Sequence, residues 1–396
     1  MPRNQPEDKY EQPDEEPEED ETIDEENVAP GEVTAEWAGG TSIHGVALAS
    51  DSGNYSLWFR IMWMILIIGA GVIMVWQIES LISEYRNFDV STNVDTLVPE
   101  SLEFPQITIC NSNQLSAVLK NVTGIEEPAN EEELKLLTLP LEASIWLTEF
   151  NGVDLNVTEA WTSVVTDFGA CWQFTTDERV FRPGAFGGLY LWYYLNQDDY
   201  ESFTELAGIQ VFALQPGIKI TDQTPFITIS PGQEGIVSLT KTQYGREQEA
   251  PWARCFSKAP EYTQTQCRDD CINKAGREKC GCRAWGDTTP EAQDLRYCQY
   301  SNNETSDYDC LIGLNETAEQ EKCVADPDTP DCTRPPCQVT IYDAVETGVP
   351  YGRLFLESLE QDAGLTEQEF NDNFIGVNIN FDKILFTELT ETKAVT

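Results

Sequence analysis

"LWFRIMWMILIIGAGVIMVWQI", Leu57 to Ile78, is the longest apolar run in the 396-residue chain. Nothing between Ile61 and Trp76 is charged. Twenty-two helical residues reach roughly 33 Å, enough to cross the hydrocarbon core of a bilayer. Trp58 and Trp76 stand near the two ends, where amphipathic rings favour the interface, and Arg60 is placed to snorkel toward water. A buried core helix of this length would show a polar stripe, and none is present. The run starts too far from the N-terminus, and ends in the wrong residues, for a cleaved leader. It reads as a membrane span.

The two flanks of the span differ in kind. The N-terminal side, residues 1–36, holds 15 acidic residues against Arg3 and Lys9. Pro-punctuated and nearly without aliphatics, it cannot bury enough surface to fold and reads as a disordered acidic tail. All 12 cysteines follow the span, and so do four Asn-x-Ser/Thr sequons, at Asn121, Asn156, Asn303 and Asn315. An even cysteine count among sequons marks an oxidising compartment. The N-terminus is therefore expected in the cytosol and the rest outside the plasma membrane; Asn54 begins a sequon on the wrong side to be glycosylated. The net charge of −45 repels nucleic acid and suits a surface that accumulates cations.

Beyond the span, alternation in "LEFPQITICNSN" predicts a strand through Ile107 and Ile109, opened by Pro105. "ANEEELKLL" predicts a helix capped by Asn130. "GLYLWYYLN", "AGIQVFAL" and "IGVNINFDKILF" read as strands, the last with Val377, Ile379 and Phe381 on one face. From Cys255 to Cys337 the texture changes, with ten cysteines in 83 residues around "CRDDCINKAGREKCGCRAW". A C-x3-C followed by C-x-C would suggest zinc in the cytosol. Outside the cell, and with no histidine available, disulfides are the reading, replacing the large core that so polar a segment lacks.

"SIHG" before the span, "FPQITICN" after it, "GLYLWYYLNQDDY…AGIQV" in the middle and the "PW…C…C…C…CGC" block occur together in this order. The chain thereby resembles the degenerin/epithelial sodium channel family, which includes acid-sensing channels, over about residues 41–387. The resemblance implies an α+β fold: a single N-terminal transmembrane helix, then a β-rich, disulfide-bonded ectodomain with a cysteine-rich helical thumb. The expected divisions are an acidic tail at 1–40, a cytosolic His-Gly re-entrant segment at 41–56 and a transmembrane helix at 57–78. A β-rich body at 79–254, the thumb at 255–340 and returning strands at 341–396 follow.

The resemblance also implies the bridges Cys110–Cys171, Cys255–Cys337, Cys267–Cys332, Cys271–Cys323, Cys280–Cys310 and Cys282–Cys298, which spacing alone could not select. It places an aromatic contact between Tyr85 and Trp252, and a gating motif at His44 and Gly45. His44 is the only histidine; a glycine after it allows the tight turn of a chain that dips and returns. With no ectodomain histidine, a response to protons near neutrality needs carboxylates of raised pKa, for which Asp198, Asp199 and Glu201 are candidates.

The implied function is that of a subunit, or subunit fragment, of a stimulus-gated, amiloride-sensitive sodium channel, a homo- or heterotrimer in the lipid bilayer. Sodium ions are its cargo, and no cofactor, metal or nucleic acid is expected. The family pattern has a second membrane helix after the last strand. This sequence ends "NINFDKILFTELTETKAVT", so it reads as cut short of the pore helix and, alone, non-conducting. The alternative is a single-span glycoprotein acting as a non-conducting regulatory or binding subunit. An enzyme is not expected, because no nucleophile–histidine pair, metal triad or phosphate loop can be assembled.

Overall fold

The structure is a computed structural model that describes residues 36–43, 45–51, 53–202, 204–257, 262–299, 307–315 and 332–394, the side chains of 308, 311, 312 and 315 apart. It divides into two compact bodies, one ending at Asn87 and the other beginning at Phe88.

The first body is helical. A short helix α1 (Val46–Ser50) follows Gly45, and a 31-residue helix α2 (Leu57–Asn87) contains the apolar run. The most apolar 18-residue window of α2 has a mean hydropathy of 2.3, and none of it is buried. The helix is apolar all round and fits a membrane span by length and composition. It continues past Ile78 because "ESLISEYRN" contains neither glycine nor proline to stop it. At the entrance to α2, Asp51 Oδ1 accepts hydrogen bonds from the Gly53 and Asn54 amides at 3.0 and 3.1 Å, and Arg60 Nε donates to the Ala49 carbonyl at 2.8 Å.

The second body is built on fourteen described strands. They are β1 (Val90–Leu97), β2 (Leu102–Glu103), β3 (Gln106–Asn111), β4 (Ile145–Phe150), β5 (Val153–Asp154), β6 (Trp161–Thr166) and β7 (Gly169–Phe174). Then come β8 (Arg179–Val180), β9 (Gly188–Tyr194), β10 (Ile209–Leu214), β11 (Ile227–Ile229), β12 (Gln233–Gly245), β13 (Gln338–Pro350) and β14 (Phe374–Lys393). A seven-stranded sheet runs β13-β12-β14-β9-β4-β5, with β1 added on the far half of β14; a five-stranded sheet runs β11-β10-β3-β7-β6.

The sheets share one core. Ile107 and Ile109 from β3, Leu191 and Tyr193 from β9, Val237 and Leu239 from β12, and Val377, Ile379 and Phe381 from β14 are all buried in it. Each such side chain contributes roughly 1.5–3 kcal/mol by leaving water. The Asn130 cap forms: Asn130 Oδ1 accepts from the Glu133 amide at 3.0 Å, and the Glu133 carboxylate reaches back to the Ala129 amide at 2.8 Å.

The cysteine-rich segment is an insertion at one end of a hairpin. β12 ends at Gly245 and β13 begins at Gln338, and those two residues are paired. Within the insertion, helix α3 (Gln264–Cys280) is capped by Thr263, whose hydroxyl accepts from the Gln266 amide at 3.0 Å, and is closed by Gly281 at φ +66°. Helix α4 (Asp307–Asn315) follows. Two more helices, α5 (Arg353–Ala363) and α6 (Glu367–Asn373), pack Leu356 and Phe370 against Trp192, Tyr194 and Phe374.

The burial of Ile379 makes the core testable. Ile379→Ala is expected to cost about 2–5 kcal/mol. Denaturant titration of the purified chain in detergent should show a lower midpoint at unchanged slope.

Candidate functional site

Two groupings in the second body join the cysteine-rich insertion to the sheets. The first surrounds Trp252, on the segment that leads from β12 into the insertion. The Phe88 ring meets it edge-on, with centroids 5.4 Å apart and planes at 83°. The Lys393 ammonium lies 4.8 Å from the centre of the Trp252 ring and is also paired with Glu249. That carboxylate holds the lysine pKa above its ordinary value.

Phe88, Asp89 and Lys393 occupy the ends of β1 and β14, where Val90 is paired with Lys393 and the Ala394 amide donates to the Asp89 carbonyl at 3.1 Å. Arg254 and Asp89 approach to 3.9 Å. Cys255, three residues after Trp252, is bonded to Cys337 at the start of β13. The joint therefore ties both ends of the insertion to the two strand ends. One of these strands, β1, is reached directly from α2 through Phe88, whose φ of +51° ends the helical path.

The second grouping is a knot of carboxylates. Asp167 comes from the β6–β7 turn, Lys219 and Asp222 from the β10–β11 connection, and Asp269 and Asp270 from α3. Carboxylate oxygens of Asp167, Asp222 and Asp269 lie within 4.8 Å of one another. Lys219 Nζ is 3.1 Å from Asp269 and 3.9 Å from Asp270. Asp167 accepts hydrogen bonds from the Asp222 and Gly286 amides, each at 3.1 Å. A Cβ on Gly286 would overlap the Asp167 carboxylate, so only glycine allows that approach.

Burial, and then the neighbouring Asp269 charge, push the Asp167 carboxyl up to about 7, with Lys219 opposing. Burial also raises Asp269 and Asp270. The spacing of the three oxygens would suit a divalent cation, but the Lys219 ammonium already supplies positive charge there.

The structure distributes the residues expected from sequence as follows. Gly45 takes φ +94°, and a Cβ there would come within 2.8 Å of the Trp63 ring, so the left-handed glycine fits closely against α2. His44 lies outside the described residues. Tyr85 is in the last turns of α2 and Trp252 is in the other body; the ring that packs on Trp252 within its own body is Phe88.

Bonded pairs are Cys110–Cys171, Cys255–Cys337, Cys267–Cys332, Cys280–Cys310 and Cys282–Cys298. Cys271 is disulfide-bonded as well; Cys323 lies outside the described residues. Asn121 is exposed on a short helix, and Asn156 caps another, its Oδ1 accepting from the Thr158 hydroxyl at 2.9 Å. Asn303 and the side chain of Asn315 lie outside the described residues.

Among the candidate carboxylates Asp198, Asp199 and Glu201, the last two have partners within the body. Asp199 accepts from the Val118 amide at 2.6 Å, and Glu201 is paired with Lys120 at 2.8 Å. Sequence reasoning missed Asp167, Lys219, Asp222 and Phe88. The three aspartates Asp167, Asp222 and Asp269 stand about fifty residues apart in a very acidic ectodomain, and nothing local marks them.

The family described as amiloride-sensitive sodium channel matches residues 37–144 and 125–396. Acid-sensing ion channel 2 of Rattus norvegicus is 22% identical over 90% of this chain and 79% of its own length. The bile acid-sensitive ion channel of Homo sapiens is 24% identical over 62% of this chain and 58% of its own. Acid-sensing ion channel 1 of Gallus gallus is 22% identical over 94% and 80%. A solved proton-activated chloride channel aligns over 85% of both chains, at 8% identity and a TM-score of 0.36.

The raised Asp167 pKa has a definite sign in stability. Its folded value lies above the unfolded one, so its contribution is complete below the ordinary carboxylate range and is lost as pH rises through about 7. Asp167→Asn is neutral throughout but turns an amide NH2 toward one of the two backbone N–H donors, a cost that does not vary with pH; its Tm relative to wild type should therefore be higher at pH 7.5 than at pH 4. A gap of roughly 2–4 °C corresponds to about 1 kcal/mol in a domain of 150–250 residues. Melting curves at the two pH values check it.

Proposed function

Because the chain belongs to the amiloride-sensitive sodium channel family, whose members are ion channels and not enzymes, we propose that it is a subunit of a stimulus-gated, amiloride-sensitive sodium channel. Its N-terminus lies in the cytosol, α2 crosses the plasma membrane, the cysteine-rich insertion serves as an extracellular thumb, and three subunits assemble around the ion path. Gly45, with His44 before it, belongs to the inner gate. Exposed sequons at Asn121 and Asn156 carry glycans.

The observation that carries the reading is the Trp252 joint. Clamped between Phe88 and Lys393, the entrance of the insertion moves with the ends of β1 and β14, so a displacement of the thumb is delivered to the strand that continues from the membrane helix. The excess of acidic residues supports cation rather than anion traffic by concentrating cations near the surface.

Protons are the stimulus best supported. A carboxyl at about 7 is half ionised at neutral pH, and acidification removes its repulsion from Asp222 and Asp269. That draws α3 toward the β6–β7 turn, and the insertion carries the movement to its base. The relatives named for acid sensing agree with this direction.

Voltage clamp of cells expressing the chain alone and together with the rat acid-sensing ion channel 2 tests the function. Expressed together with the relative, a channel subunit is expected to give amiloride-blocked sodium current with a pH dependence distinct from the relative's own. Uniform suppression of the relative's current would instead mark a non-conducting regulatory subunit, and an unchanged current in every arm would exclude both. Trp252→Ala should weaken the response to acid while surface biotinylation stays at the wild-type level.

A further inference from the structure

The β8–β9 connection, "FRPGAFG" at 181–187, presents two phenylalanines to solvent: Phe181 is 66% exposed and Phe186 84%. Exposure on this scale in one short loop is uncommon for side chains that dominate protein interfaces when buried. The loop is also held in place. The Gly184 amide donates to the Phe381 carbonyl at 3.0 Å, the Gly187 amide to the Gly184 carbonyl at 2.9 Å, and Asn378 Nδ2 to the Ala185 carbonyl at 3.5 Å. A Cβ on Gly187 would overlap the Arg182 carbonyl oxygen. The rings are therefore presented on a fixed backbone, which lowers the entropic cost of binding. Arg182, between them in sequence, makes no ion pair among the described residues.

Elsewhere in the same body, a groove of about 400 Å³ runs along the free edge of β13, where it faces β10 and β11. Leu214, Ile218, Phe226 and Ile341 line it, and Asp343 stands exposed at its rim. Asp343, too, makes no ion pair among the described residues. The volume falls in the range that accepts an aromatic side chain.

We propose that the 181–187 loop of one copy of this chain docks in the β13 groove of a second copy, with the phenylalanines in the groove and Arg182 against Asp343. The proposal rests on the subunit assembly proposed above and names the surfaces that make it.

Two observations favour a second copy as the occupant. One is charge: in a chain at −45, contact between copies is opposed nearly everywhere, and here a cation on one surface meets a carboxylate on the other. The second is level. Phe381, which holds the loop, is registered with Leu239, and Leu239 with Ala344 beside the groove. Loop and groove thus lie at one height along the strands, on opposite sides of a stretch three strand spacings wide, about 15 Å. Loop and groove are different surfaces, so the contact is head-to-tail, and it closes into a ring where the rotation between copies divides a full turn.

The test uses the full chain in cell membranes. Phe186→Cys combined with Ile341→Cys, mildly oxidised, should give covalent multimers on a non-reducing gel, whereas either substitution alone should not. Amine-reactive crosslinking of the wild type, run in parallel, reports association independently of the surface. Wild-type multimers without a disulfide between positions 186 and 341 of the double variant would overturn the docking surface while leaving assembly intact. A chain that stays single in both would overturn the assembly on which the proposal rests. Arg182→Glu and Asp343→Arg supply a second arm: each alone should reduce the multimer yield, and the pair should restore it. Failure of the pair to restore it, with both proteins at the cell surface, also overturns the proposal.

Discussion

Strand β14 runs parallel to β12 over Gly376–Phe381 and again, after a register shift, over Phe386–Thr390, and that pairing constrains everything else in the second body. Parallel neighbours cannot be joined by a tight turn, so the chain must leave at Gly245 and come back through the insertion, β13 and two helices before Phe374. The first half of β14 pairs with β9, and the second half with β1. One strand thereby links the hydrophobic core at Phe381 with the Trp252 joint at Lys393. Asp95 and Glu388 face each other across β1 and β14, a like-charge pairing that costs a fraction of a kcal/mol. The apolar half of β14 must outweigh it.

Bringing Gly245 and Gln338 together closes a loop of more than ninety residues, an entropic cost that grows only slowly with length. The nested disulfides shorten that loop in steps. Each restricts the unfolded chain and contributes about 2–4 kcal/mol, which suits a segment whose α3 buries Asp269 and Asn273 rather than a stripe of leucines. The insertion is thus held by covalent bonds inside and by a few charged and aromatic contacts at its borders. Lys219 with Asp269 and Lys393 with Trp252 are two of these. Such borders respond to charge more readily than a packed apolar interface does, and the site's chemistry is concentrated there.

Electrostatics act here at two ranges. The net charge is a diffuse field, screened beyond about 8 Å at physiological salt, and it biases which ions gather at the surface. The working terms are local. Lys241, buried against Glu103 and the Phe386 ring, has its pKa lowered mainly by desolvation. Asp167 is raised for the same reason. In each case burial sets the shift and a neighbouring charge trims it.

The apolar helix was legible in the residues themselves, because a long uncharged run has few other fates. So were the strands whose alternation marks a buried face, such as the one carrying Val377, Ile379 and Phe381. The sharp change of composition between Cys255 and Cys337 falls inside the insertion, whose ends the paired Gly245 and Gln338 define. The turn at Gly45 was legible because glycine tolerates a φ that other residues resist. The pairings between distant segments emerged only on folding: the parallel β12–β14 register, Phe88 on Trp252, and the meeting of Asp167, Asp222 and Asp269. Periodicity records which face of an element is apolar, whereas register and through-space charge depend on which elements become neighbours. An aspartate that will be buried carries no local mark to distinguish it from one that will be solvated.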